Sequence, residues 1–168
     1  MAINSDQGIQ FFVMRHAATV WNHAGRIQGQ ADSPLSPAGQ RQIQAWQTPI
    51  ALLKLDEILC SDLGRALATA RGHNRDADLP LTSDPRLREQ DWGRWTGRVH
   101  RRLKNEDAAT YARQTKRGWQ FRPPAGESQL QVLERALAAL ADIAAGLIKR
   151  RILVVAHEGV LKCLVYHL

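Results

Sequence analysis

Two short apolar runs, IQFFVM at 9–14 and ILVVA at 152–156, stand near opposite ends of the chain, and each leads almost at once into a histidine, His16 and His157. A third run of the same kind, DEILCS, lies at 56–61, and a weaker one at 79–83. A strand with one wet face alternates apolar and polar residues, whereas one covered on both faces is apolar throughout. These runs therefore constrain the chain to a sheet buried on both sides.

The intervening segments carry helical signals. Ser36 followed by Pro37 is an N-cap with proline at the first helical position, opening a helix toward residue 47 that Thr48-Pro49 is expected to kink or interrupt. Ser61 is placed to cap a helix whose Leu63, Ala66, Leu67 and Ala70 share one face. Residues 91–127 read as loop, one helix around 100–116, and loop. Ser128 and Gln131 have the spacing of a capping box, ahead of an apolar stripe at Leu130, Leu133, Leu137, Leu140, Ala144 and Leu147. A final helix starts near Gly159. Strands alternating with helices predict an α/β fold of three layers, α/β/α, around a mainly parallel central sheet. The 168 residues, with no repeat or flexible linker, suffice for a single domain over 1–168.

In open parallel sheets, ligands bind beyond the carboxyl ends of the strands. Four polar clusters fall there: Arg15-His16 after the first strand, Arg65 after the second, Glu89 after the third and His157 after the last. A phosphoryl group in transfer spreads negative charge over its oxygens and needs fixed cations and N–H donors. Arg15 and Arg65 offer planar forks for two such oxygens. A neutral His16 has the lone pair to attack phosphorus, a cationic His157 would stabilise the transferring group, and Glu89 with a raised pKa would protonate the leaving oxygen. Each residue alone has an ordinary structural explanation; only their placement on one edge points to chemistry. His23, His73, His100 and His167 show no ligand spacing and read as surface or packing residues.

Lys and Arg number 23 against 16 Asp and Glu, a net charge of +7, which favours anionic partners without choosing among them. RVHRRLK at 98–104 is basic, but aromatics are not interleaved with it as a base-stacking surface requires, so no nucleic-acid partner is expected. Cys60 and Cys163 are too few for a disulfide framework and read as buried free thiols of a reducing compartment. The opening residues MAINSDQGIQFFVMRH lack a basic segment followed by a long apolar one, and no run approaches the ~20 apolar residues of a membrane span. The expectation is a cytoplasmic protein with no membrane partner.

These residues resemble the histidine phosphatase superfamily, also called the phosphoglycerate-mutase-like family, along essentially the whole chain. Its signature Arg-His-Gly stands here as Arg15-His16-Ala17, followed by Thr19, Trp21 and Asn22. GRIQG (25–29), Asp32, PLSPAGQ (34–40), SDLGRALATA (61–70), LREQDWGRWTG (87–97), PPAGES (123–128) and VVAHEG (154–159) follow in the family's order. The resemblance implies a phosphomonoesterase of the phosphatase branch that hydrolyses a small phosphorylated metabolite through a phosphohistidine on His16. It implies that Arg15, Arg65 and His157 hold the phosphate and Glu89 donates the proton. It places Asn22, Gln28 and Gly29 in the phosphate or substrate pocket, and implies no metal or organic cofactor. The alternatives are phosphoryl transfer of the phosphoglycerate-mutase kind, whose members are longer between the third block and the second histidine, and a catalytically degenerate protein that binds a phosphorylated ligand.

Three departures from the family bear on activity. Ala17 replaces glycine, which matters only if the backbone there needs a positive φ. Glu158 stands where the family has glycine; it either repels a phosphate dianion or points away and helps keep His157 protonated. The sequence stops at Leu168, where family members continue; the expectation is either a member with shortened C-terminal elements or a truncated product, in which Leu161, Leu164, Val165 and Leu168 would expose apolar surface and favour a homo-oligomer. The basic residues between Arg94 and Arg117 are expected on a solvated helix face, with contact to a second anionic group as the alternative.

Overall fold

The computed structural model describes residues 8–145 and 149–167. Strands β1 (Ile9–Arg15), β2 (Glu57–Cys60), β3 (Leu81–Ser83) and β4 (Arg150–Ala156) form one parallel sheet in the order β1-β4-β2-β3. The apolar run near the C-terminus thus lies beside the run near the N-terminus, with Phe12 opposite Leu153 and Arg15 opposite Ala156. The helices are α1 (Val20–His23), α2 (Pro37–Ala51), α3 (Gly64–His73), α4 (His100–Glu106), α5 (Ala108–Thr115), α6 (Gln129–Ala144) and α7 (Glu158–His167).

Both faces of the central strands are covered, whereas the edge strand β1, expected to be buried, has no fully buried residue and leaves Val13 exposed, because only β4 flanks it. Leu59, Ile152 and Val154 pack with Val132 and Ala136 of α6 and Val160 of α7; on the other face Ile58, Cys60, Leu153 and Val155 pack with Ile50 of α2 and with Ala66 and Ala70 of α3. The central strand β4 is buried from Ile152 to Ala156, and complete burial of each large apolar side chain stabilises the fold by about 1.5–3 kcal/mol. Cys60 and Cys163 are buried free thiols.

Several local expectations are corrected. Pro49 does not interrupt α2, which continues to Ala51. It sits in the last turn, where one amide hydrogen bond is forfeited, and Ile50 next to it is buried against the sheet. Ser61 does not cap α3; the cap position is Leu63, and the first amides of the helix, Gly64 and Arg65, donate to the carboxylate of Asp32 from a distant loop. The single helix expected around 100–116 is two, broken at Asp107 (φ −135°, ψ 40°), whose carboxylate accepts the indole N–H of buried Trp95 at 2.9 Å. In α6 the capping box of Ser128 and Gln131 forms, but the most buried positions are Val132, Leu133, Ala136 and Ala139, because alanines let the helix approach the sheet closely. Leu164 is buried and Leu161 packs against the same core, leaving Val165 as the exposed member of that expected patch; Leu147 and Leu168 lie outside the described residues. No helix among the described residues is long and apolar enough to cross a membrane.

Candidate active site

Sheet register builds the centre of the site. The β1–β4 ladder continues one step past Arg15, with the His16 amide donating to the Ala156 carbonyl at 2.9 Å. Parallel strands in this register must deliver the next residues, His16 and His157, side by side, and their ring centroids are 5.2 Å apart. The Nδ1 of His16 lies 2.8 Å from the Ala17 carbonyl oxygen. A carbonyl only accepts, so Nδ1 carries the proton and Nε2 keeps its lone pair. Burial, reinforced by Arg65 and Arg15, pushes the His16 pKa down to about 4, so the ring is neutral near pH 7. Ala17 is not among the residues with positive φ, so it holds this geometry without the strain that would call for glycine.

His157 is fully buried beside His16, and neither of its ring nitrogens has a hydrogen-bond partner. Burial, then the charge of Arg65, holds its pKa well below the usual histidine value. The cation expected there is therefore a neutral ring in this structure, and Glu158 does not hold it protonated. An anion placed between the two histidines would favour the protonated form and reverse that balance.

Arg65 enters from the first turn of α3 with its side chain 1% exposed. Its guanidinium donates to the carbonyls of Ala31 (2.7 Å) and Gly29 (2.8 Å) and to Asp32 (3.0 Å), while Nε is left without a partner. Asp32 thus both caps α3 and pairs the cation that the helix N-terminus disfavours. Gly29 turns with φ +52°, and a Cβ there would meet Thr96 Oγ1 at 2.9 Å. Gln28 is buried, accepting from the Thr19 hydroxyl at 3.1 Å, and Asn22 closes a capping box with Thr19 at α1. Arg15, His16, Asn22, Gln28, Gly29, Arg65 and Glu89 all line one cleft of about 800 Å³. His157, fully buried next to His16, is not among the residues that line it.

Glu89 is fixed by the backbone of a helix that the linear sequence places far away. The Gly159 amide, in the first turn of α7, donates to both of its carboxyl oxygens at 3.1 and 3.3 Å, and the Gln90 amide donates at 2.9 Å. Arg135 of α6 donates to the Glu89 carbonyl at 3.1 Å. Burial nevertheless outweighs these donors and raises the carboxyl pKa, so the group is suited to carry a proton. A Cβ at Gly159 would collide with the Glu89 carboxyl oxygen. Gly159→Ala is accordingly expected to displace Glu89 and lower kcat about tenfold to a hundredfold with little change in thermal stability, as steady-state kinetics beside a thermal melt would check.

In the outer part of the cleft the expected solvated basic face holds, all its cations but half-buried Arg98 being exposed. The basic residues between Arg94 and Arg117 do not line it. The segment contributes aromatic rings instead: Trp92 lies 5.7 Å from Phe121 and 6.3 Å from His100, which in turn lies 5.9 Å from Tyr111. Trp95, Leu103, Phe121 and Ile27 form a small core beneath them. His100 is thus a cleft residue rather than a remote one. Glu158 neither repels from afar nor turns away; its carboxylate bridges Arg15 at 2.7 Å and Lys162 at 2.6 Å. Asp32, Gly159, Arg135, Lys162 and the aromatic wall were not singled out as site residues in the sequence. Asp32, Gly159 and Trp92 had a signal, the first standing between two recognisable blocks and the others within VVAHEG and LREQDWGRWTG.

The sequence model of the histidine phosphatase superfamily (branch 1) matches residues 11–168. The chain is 38% identical over 161 residues to the "Probable phosphoglycerate mutase GpmB" of Cronobacter sakazakii, covering 94% of this chain and 73% of that one. The alpha-ribazole phosphatase structure from Shigella flexneri superposes with a TM-score of 0.80 at 34% identity, covering 94% of this chain and 78% of the other. The mycobacterial glucosyl-3-phosphoglycerate phosphatase complexed with VO3 gives a TM-score of 0.85 at 29% identity, covering 92% and 79%. Paired histidines at the ends of adjacent parallel strands, with a buried arginine and a glutamate whose pKa burial raises, thus stand on a fold shared with these proteins: the chain belongs to the histidine phosphatase superfamily, branch 1.

Proposed function

We propose that this protein is a phosphomonoesterase working through a phosphohistidine on His16. One observation carries the reading: His16 is neutral, its Nδ1 proton is tied to a carbonyl, and its free Nε2 belongs to a ring lining a cleft shared with Arg65 and Glu89. In the first step the Nε2 lone pair forms a bond to phosphorus, the ester P–O bond breaks, and the Glu89 carboxyl proton passes to the leaving oxygen. In the second, Glu89 as carboxylate takes a proton from water, the water oxygen attacks phosphorus, and the P–N bond breaks to release inorganic phosphate. Arg15 and Arg65 donate to the phosphoryl oxygens throughout, His157 adds an N–H once an anion seated between the two rings draws on its unpartnered nitrogens, and Asn22, Gln28 and Gly29 complete the pocket wall.

The outer cleft offers the leaving group the rings of Trp92, His100, Tyr111 and Phe121 beside Arg26 and Lys162, and the number of rings supports hydrolysis of a ring-bearing ester over exchange on a small acidic one. Relatives named as phosphatases of alpha-ribazole and of glucosyl-3-phosphoglycerate point the same way, whereas the relative named as a mutase keeps phosphoryl transfer between acids as the second reading. Quenching the protein during turnover of a labelled aryl phosphate is expected to trap one acid-labile, base-stable phosphoryl group. Its absence in the wild type would remove the covalent mechanism.

The rate is expected to follow a bell in pH. His16 must be unprotonated, so kcat/KM rises with pH through about 4. Glu89 must be protonated for the first step, so kcat/KM falls as pH rises through its raised pKa. A profile of kcat/KM for the wild type and Glu89→Gln checks this: the slower variant should lose the alkaline limb and keep the acid one.

A further inference from the structure

Two carboxylates meet at the start of α7, and only Glu89 has a place in the chemistry above. Glu158, the first residue of that helix, bridges Arg15 through one oxygen and Lys162 through the other. Arg15 faces the reacting centre: its charge bears on His16, on Glu89 and on His157. Glu158 and Lys162 line the same cleft as His16. Arg15 and Glu158 are each about half exposed, at 44% and 45%, so their ion pair is weak enough to exchange for another anion. Lys162, one turn along the helix, can keep the carboxylate once Arg15 has turned away.

We propose that Glu158 is an internal anion that occupies Arg15 between turnovers and competes with phosphate for it, a specificity-setting role that rests on the phosphatase reading. A substrate or product dianion lodged between His16 and Arg65 draws the Arg15 fork onto its own oxygens, and Glu158 remains on Lys162. When the P–N bond has been hydrolysed, return of Glu158 to Arg15 weakens the hold on inorganic phosphate and helps it leave. The site therefore discriminates against retention of phosphate, which suits a hydrolase and disfavours an enzyme that must keep the phosphoryl group for return.

The test is inhibition of aryl phosphate turnover by inorganic phosphate in the full chain, comparing wild type, Glu158→Gln, Arg15→Gln and the double variant. Glu158→Gln is expected to lower the phosphate inhibition constant about threefold to fivefold at low ionic strength, and the gain should shrink in salt. In the Arg15→Gln background the same change should do nothing, because the residue competed for is gone. Unchanged or weaker phosphate inhibition in Glu158→Gln would overturn the proposal, as would a gain that persists without Arg15, which is direct repulsion. Thermal melts of all four proteins separate these outcomes from loss of fold. If the wild type neither hydrolyses the ester nor binds phosphate calorimetrically, the phosphatase reading itself fails and this inference with it. Hydrolysis with phosphate inhibition insensitive to Glu158 removes the inference alone.

Discussion

His16→Ala is expected to lower turnover of an aryl phosphate ester by about 10⁴-fold or more, the scale on which removal of a covalent nucleophile acts. No other described side chain can replace it. His157 has unpartnered nitrogens but is fully buried and does not line the cleft, and Cys163, which does line it, has its thiol pKa raised by burial to about 11 and remains protonated. The His16 side chain makes one short-range hydrogen bond, to the neighbouring carbonyl, so its removal leaves a small cavity rather than a broken network. The variant should therefore fold, melt within a few degrees of the parent, and still bind inorganic phosphate through Arg15 and Arg65. It should also yield no trapped phosphoryl group after quenching. Turnover within tenfold of wild type would exclude His16 as the nucleophile.

The second large effect is expected at a residue that touches no reacting atom. Asp32→Asn removes the charge opposite a guanidinium whose side chain is 1% exposed and weakens the cap on the first amides of α3. Breaking a buried ion pair from one side leaves the other charge uncompensated, which costs about 3–5 kcal/mol in a dry interior. Here the carbonyls of Ala31 and Gly29 still receive Arg65, and Asp32 itself is 42% exposed, so solvent screening reduces the expected loss to about 2 kcal/mol. Urea unfolding gives that number. Because Arg65 would lose its fixed direction, the phosphate dissociation constant should rise about tenfold, measured by calorimetry. Stability and phosphate affinity both unchanged would mean that the carbonyls alone hold the arginine.

Much of this site was legible in the sequence because its parts stand at strand ends, where polarity switches abruptly. IQFFVM-Arg15-His16 and ILVVA-His157 announce themselves by contrast with the apolar runs before them, and Arg65 follows directly from the third run. Glu89 was the harder case: the strand before it is only Leu81–Ser83, and what marks the residue is the surrounding block rather than periodicity. The cleft beyond the phosphate position was only partly legible. The arginines and lysines of the segment were expected on a solvated face and do stay outside the cleft, but nothing in the sequence showed that Trp95 and Leu103 form a buried core that turns Trp92, His100 and Tyr111 toward it. Which side of a short, irregular segment faces inward depends on what it packs against, and residues 91–127 lack the repeating period that would reveal it.

The sequence by itself determined the parallel α/β architecture, the strand ends that carry His16 and His157, and the family, because each of these is written in short-range pattern: apolar runs, caps and ordered motif blocks. Only the tertiary structure decided that β4 lies beside β1, so that register brings the two histidines into contact. It also decided that Asp32 rather than Ser61 holds the start of α3, that the amide of Gly159 fixes Glu89, and that Glu158 turns onto Arg15 instead of His157. Each of these partnerships joins residues from different elements. Its geometry is set by chain packing, and the charge state of each histidine and carboxyl follows from the burial that packing imposes.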